Sequence, residues 1–266
     1  QPQCPYGISG ICCKVCWQGP CRIIPGKSER GICGANADTI VARNILRFAS
    51  SGATCHTDHA KEVLLALLKI AESKTKAYKI VDEKKLRSIA KRLGKKSSGP
   101  INKVAKEVAL EALEDFRRQQ GLFHKAEGDY LNWIKIHAPK ERINAWKKLG
   151  ILPVSADSET SHAFHQTTMG NDADPDNILS MLLTIGLVDG YSGLALATDL
   201  QDVIFGTPYL TKSVANLGTL KEDYVNIIVH GHVPLLPEKI VEWSKKMDAK
   251  AKKLGAKGIN IVGMCC

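Results

Sequence analysis

Sulfur is concentrated at one end of this chain. Residues 4–21, "CPYGISGICCKVCWQGPC", carry five cysteines, and a sixth, Cys33, follows in "RGICGANAD". Thiolates ligate metals and iron–sulfur clusters, and the spacing C-x7-C-C-x2-C-x4-C-x11-C keeps them close, with Gly7, Gly10, Gly19 and Pro20 letting the chain turn between them. Small secreted scaffolds use such cysteines for disulfides, but a 266-residue chain that is 44% hydrophobic can build its own core. Metal ligation explains the clustering better. Zinc accepts four thiolates and suits any four of the six, yet two more do not fit one zinc tetrahedron. Because the adjacent side chains of Cys12 and Cys13 leave the backbone in different directions, the doublet predicts two centres that share a seam.

Histidines supply the other candidate chemistry. "CHTDH" sets His56 and His59 three positions apart, on one face of a predicted helix start. Their imidazoles titrate near neutral pH and suit proton exchange; alternatively, Thr57 or Asp58 simply caps the helix, with both rings solvated. Cys55, just before them, reads as a buried thiol. Near the end, "YVNIIV" (224–229) and "GINIV" (258–262) read as strands flanking an amphipathic helix, "LPEKIVEWSKKMDAKAKKLG". A right-handed crossover makes such strands parallel, so their carboxyl ends share one rim, where open parallel sheets place ligand sites. "HGHVP" (230–234) and "GMCC" (263–266) stand at that rim. The two motifs are thereby brought close in space, and a histidine there, His230 or His232, more often hydrogen-bonds in a core than binds a metal.

The elements that must position these groups are mostly helical. Residues 1–55 read as a loop-rich cofactor segment leading into a helix at "ADTIVARNILRFA". A helical domain occupies 56–150, with "HAKEVLLALLKIAES", "EKKLRSIAKRLG" and "NKVAKEVALEALEDFRRQ" as the amphipathic members of an antiparallel bundle. Residues 151–266 form the first part of a Rossmann-like α/β domain, in which "DADPDNILSMLL" starts a helix with Asp174 as N-cap and Pro175 in its first turn. The same acidic run lacks the spaced Gly and terminal Glu of a calcium loop. The net charge of +10 sits largely in residues 74–96, where Lys and Arg alternate with helical apolar positions and the one aromatic, Tyr78, makes no stacking platform. A solvated helix face is expected there, not a nucleic-acid surface. The longest apolar stretch, Ile178–Val188, stops at Asp189 after eleven residues, too short to span a bilayer. With no signal-like start, an intracellular, cytoplasmic protein is expected.

The quoted motifs, in this order and over essentially the whole chain, resemble those of the nickel-containing anaerobic carbon monoxide dehydrogenases. "CPYGISGICCKVCWQGPCR", "GICGANADTIVARN", "CHTDH", "DADPDNILSMLLTIGLVDGYSGLALATDLQDVIFGTP", "VHGHVP" and "GMCC" carry the resemblance. It implies an α/β multi-domain fold, an iron–sulfur and helical-bundle domain followed by a doubly wound domain. By this resemblance Cys13, Cys16, Cys21 and Cys33 hold a 4Fe-4S cluster. Cys4 and Cys12 share a second, two-iron or four-iron, with the same residues of a second subunit. His232 and Cys266 hold the outer iron of a nickel–iron–sulfur active cluster, His56 is its acid/base group, and His59 continues a proton path. The implied reaction oxidises carbon monoxide with water to carbon dioxide, two protons and two electrons, which pass to a ferredoxin-like carrier. The resemblance leaves open whether an acetyl-CoA synthase is a further partner. Family members run to more than twice this length, with further cluster ligands beyond "GMCC", so the chain is expected to be the N-terminal portion of a longer parent. The competing readings are a hybrid-cluster protein of the hydroxylamine-reductase type, an electron-transfer module without catalysis, and a zinc-stapled nucleic-acid binder.

Overall fold

The structure, a computed structural model, describes residues 1–118, 129–210, 212, 214–215, 217–230 and 235–263. The chain divides into two compact units, Gln1–Thr207 and Pro208–Cys266.

In the first unit a helical turn, α1 (Pro5–Ile8), leads into a short antiparallel pair, β1 (Cys12–Cys13) and β2 (Cys21–Arg22), with Cys13 opposite Cys21. Then α2 (Ala37–Ala71) runs for 35 residues, its first turn capped by the Asn36 side chain, which accepts from the Thr39 N–H. Around it stand α3 (Glu83–Arg92), α4 (Ile101–Arg117), α5 (Asn132–His137), α6 (Lys140–Lys148) and α7 (Ala156–Gln166). Next comes α8 (Pro175–Val188), which opens as its sequence predicts: Asp174 caps the Asp176 and Asn177 N–H groups and Pro175 occupies the first turn. A π-helical stretch, Asp189–Ala195, carries it without a break into α9 (Leu196–Phe205).

α2 is the spine of this unit because its buried positions recur every three or four residues along the whole length. Leu46 and Ala53 pack with Ile178 and Ile185, while Leu64 and Leu67 join Leu86, Ile89, Val108, Trp133 and Leu200 in the main core. Each such aliphatic side chain contributes about 1.5–3 kcal/mol on burial.

Several sequence expectations are corrected by this arrangement. One helix crosses positions 55 and 56, so "CHTDH" lies mid-helix, not at a helix start, and the expected division there separates nothing. Thr57 is buried and its hydroxyl donates back to the Thr54 carbonyl; it caps no helix end. The expected division at 150 fails likewise, since α7, α8 and α9 belong to the first unit. The apolar run does not end at Asp189. The continuous helix Pro175–Phe205 has 31 residues and is long and apolar enough to cross a membrane by length and composition, yet Ile178, Ile185, Val188, Leu196, Leu200 and Val203 bury it in the core. The basic segment 74–96 is largely the solvated face expected, with Lys85, Arg87 and Lys95 half-buried and its other Lys and Arg exposed. Lys85 pairs with Asp199 and Asp202, and Lys95 with Glu111.

In the second unit β3 (Val225–Val229) and β4 (Ile259–Gly263) are parallel and connected by α10 (Leu235–Lys253). Their register, Val225 opposite Ile259 through Val229 opposite Gly263, brings both carboxyl ends level. β3 is not the buried strand its β-branched run suggests. Val225 and Ile228 are about half exposed, because among the described residues this sheet has two strands.

Candidate functional site

The front cysteines are gathered by a hairpin docked on the start of α2. Asn44 reaches back from the helix and donates its side-chain amide to the carbonyls of Gly10 and Cys12. Gly19 closes the turn between β1 and β2: a Cβ there would lie 3.1 Å from both the Cys13 carbonyl and the Cys21 nitrogen, backbone atoms that cannot yield. Ile40 is fully buried beneath the hairpin and packs with Cys13, Ile23 and Ala35.

Cys13, Cys16, Cys21 and Cys33 line one cavity, together with Gly31, Ile40, Arg43 and Met169 among others. Cys4 and Cys12 do not line it. The doublet is thus split as the divergence of adjacent side chains predicts, Cys13 turned into the cavity and Cys12 outside it. All seven described cysteines are free thiols. Among the described residues no three Cys, His, Asp or Glu side chains converge on a point suited to one metal ion. Tetrahedral zinc would need its sulfurs within about 3.8 Å of one another. Four thiols spread around a cavity fit instead a group with a body of its own, such as an iron–sulfur cube.

Two of the cavity sulfurs accept hydrogen bonds. The Ile32 N–H donates to Cys21 Sγ at 3.5 Å, and Arg43 donates to Cys33 Sγ at 3.6 Å. Burial pushes the Cys33 thiol up, but hydrogen bonds from the Ala35 backbone and the Arg43 guanidinium outweigh it and leave the thiol below its ordinary value. Cys4, exposed at the helical turn, is also lowered, by the N–H groups of Gly7 and Tyr6.

Farther along α2, His56 Nδ1–H donates to Asp189 Oδ1 at 2.7 Å. The ring is about a quarter exposed. Asp189 opens the π-helical stretch, and Gly193 in the same stretch abuts His56 so closely that a Cβ there would lie 2.8 Å from His56 Cβ. π-Helical turns are often kept at functional sites. One α2 turn later His59 Nε2 lies 2.7 Å from the Gln201 side-chain amide on α9. Sequence reasoning missed Asp189, Gln201 and Arg43. For Asp189 the signal was a charged residue interrupting an apolar helical run; Arg43 and Gln201 sit among other polar residues and carry none.

Two bland expectations fail. Cys55 is exposed on α2, not buried. His230 is exposed beyond β3, not in a core. His232, Cys265 and Cys266 lie outside the described residues.

Comparisons with known proteins place this fold and cavity. The profile of the Prismane/CO dehydrogenase family matches residues 11–266, and the chain belongs to that family. Among individual relatives it is 47% identical to carbon monoxide dehydrogenase 1 of Carboxydothermus hydrogenoformans, over all of this chain and 41% of that protein. It is 42% identical to the carbon monoxide dehydrogenase/acetyl-CoA synthase subunit beta of Moorella thermoacetica, over all of this chain and 39% of the relative. Carbon monoxide dehydrogenase IV from Carboxydothermus hydrogenoformans superimposes with a TM-score of 0.82 at 50% identity, covering all of this chain and 41% of that structure. A nickel-free carbon monoxide dehydrogenase from Thermococcus sp. AM4 gives the same TM-score at 45% identity, over all of this chain and 42% of its own. The chain therefore spans about two fifths of the length of these relatives.

Proposed function

We propose that this chain is the cluster-bearing portion of a nickel-containing carbon monoxide dehydrogenase, which oxidises carbon monoxide with water to carbon dioxide, two protons and two electrons. The observation that carries the proposal is the cavity lined by Cys13, Cys16, Cys21 and Cys33 in a chain of the Prismane/CO dehydrogenase family. The names of its relatives support the dehydrogenase reading over the hybrid-cluster one.

In this reading the four cysteines hold a 4Fe-4S cluster. Cys4 and Cys12 share a second, two-iron or four-iron, with a second copy of the chain, so the enzyme is a homodimer. His232 and Cys266 hold the outer iron of the nickel–iron–sulfur centre, within a doubly wound domain of which β3, α10 and β4 are the described part. When bound, that centre supplies carbon monoxide activation and a water acidified enough to ionise near neutral pH. The remaining work falls to this chain's side chains. Asp189 holds Nδ1 of His56 and so orients the ring for proton exchange. His59, one turn on and oriented by Gln201, takes the proton outward. The front cysteines keep their clusters in line for a ferredoxin-like carrier, and an acetyl-CoA synthase is a further candidate partner. Reduced thiols suit a cytoplasmic location.

The test is anaerobic purification of the full-length protein with iron and nickel, followed by carbon-monoxide-dependent reduction of a viologen dye. Turnover that requires nickel supports the reading. Iron without nickel and no turnover reduces the protein to an electron carrier, and turnover with hydroxylamine in place of carbon monoxide moves it to the hybrid-cluster class.

A further inference from the structure

The cavity contains one cation whose role the ligand assignment does not explain. Arg43 lines it beside the four cysteines and is 2% exposed, among the largest fully buried side chains of the molecule. Burying a guanidinium is costly unless its charge is answered and its N–H groups are met. One terminal nitrogen donates to Cys33 Sγ at 3.6 Å, and the other to the Asp172 backbone carbonyl at 2.5 Å. Nε is buried with no hydrogen-bond partner. The partners that do exist are a sulfur and a neutral carbonyl. The Asp172 carboxylate feels the Arg43 charge, but its oxygens accept from Gln166, Asn177 and the Asp174 N–H.

A negatively charged hydrogen-bond acceptor in the cavity that Arg43 lines would answer its charge. A cube of iron and sulfide held by four thiolates is a dianion when oxidised and gains one more negative charge on reduction, and its sulfides accept hydrogen bonds. We infer that Arg43 is a positioning and tuning residue for the cluster of Cys13, Cys16, Cys21 and Cys33, donating to it from the guanidinium and raising its reduction potential. The inference rests on the four-cysteine reading. Its sign follows from charge: a fixed cation stabilises the reduced form, which carries the extra electron, more than the oxidised form. Lysine cannot replace it fully, because a single ammonium lacks the fixed fork of donors that lets one side chain hold Cys33, Asp172 and a third acceptor together.

The experiment uses the anaerobically purified full-length protein, with Arg43→Met, Arg43→Lys and, as a ligand control, Cys13→Ser. Iron, sulfide and the midpoint potential of this cluster are measured by redox titration followed by electron paramagnetic resonance. Arg43→Met is expected to keep its iron and sulfide while the equilibrium constant for reduction falls about tenfold, about 59 mV for a one-electron couple, with Arg43→Lys falling less. Full cluster content with an unmoved potential overturns the inference and leaves the four-cysteine reading intact. Wild-type iron and sulfide content unaltered by Cys13→Ser overturns that reading itself, and the inference with it. Should both Arg43 variants lose the cluster, the decision passes to wild-type protein labelled with 15N-arginine. A guanidinium nitrogen coupling to the reduced cluster that survives in the exposed-site variants Arg22→Lys and Arg30→Lys supports the inference, and its absence overturns it.

Discussion

Single side chains here are set by what faces them. His56 owes its orientation to one carboxylate 2.7 Å away. Replacing Asp189 by Asn keeps the shape but removes the charge, so carbon monoxide oxidation by the full-length enzyme should fall about tenfold or more. His56→Ala should cost on the order of a hundredfold to ten-thousandfold, the usual span of a lost general acid or base. Steady-state rates with nickel and iron contents held equal decide it; equal rates for Asp189→Asn and wild type would remove Asp189 from the proton path. Cys4 offers a simpler check. Its thiol is lowered by two backbone N–H groups. In metal-free chain near pH 7 the fraction of Cys4 present as thiolate should be larger folded than unfolded, so iodoacetamide should modify Cys4 faster in the native chain than in urea. Peptide mass mapping over a time course reads the two rates.

Elements are held together by buried polar contacts as well as by the apolar core. Asp115 on α4 is completely buried, accepts from the Asn132 and Trp133 N–H groups at 2.6 and 3.1 Å, and faces Arg118, thereby capping the start of α5. Asp115→Ala strands both N–H groups, while Arg118 keeps Asp129, the Tyr130 carbonyl and Asn132. The substitution should cost about 1–3 kcal/mol per stranded N–H in chemical denaturation. Burial pushes the Asp115 carboxyl up to about 6 from an ordinary 3.8. The folded chain therefore keeps this proton longer than the unfolded one, and the contribution of Asp115 to stability declines as pH rises from about 4 to 6, then stays level. Comparing wild type with Asp115→Asn across that window isolates the slope. Such contacts also mark where sequence reading stops. The amphipathic pattern of α3 and α4 and the Asp174–Pro175 helix start are legible, because one apolar face or one cap decides them. The continuity of α2 is not: "CHTDH" interrupts the apolar spacing with polar residues, and only Ala53, Thr57 and Ala60, small groups that fit against neighbouring helices, carry the buried face across. Asp189 looked like the end of an apolar run because its partner, His56, lies 133 residues away in sequence. The split of the cysteine doublet was legible, since it follows from neighbouring side chains diverging. The buried cation at the thiol-lined cavity was not, since "VARNILRF" reads as an ordinary helical stretch.

At the scale of the molecule, the first unit is organised along one rod. Arg43 and His56 stand thirteen residues apart on a helix without a break. At about 1.5 Å per residue this fixes roughly 20 Å between the thiol-lined cavity and the histidine pair. Gly52 lies between them, and a Cβ there would meet nothing within 4 Å. Gly52→Ala should therefore stabilise the chain by about 0.5–1 kcal/mol without altering turnover. Deleting Gly52 is a different operation. It swings one half of the rod by about 100° against the other and shortens the span by only about 1.5 Å. Iron content and carbon-monoxide-dependent dye reduction separate the two cases: the deletion should leave iron bound and uncouple it from turnover. In the proposed reading α2 acts as a surveyor's ruler for electrons, setting both the range and the bearing between where charge would be generated and where it would be handed on.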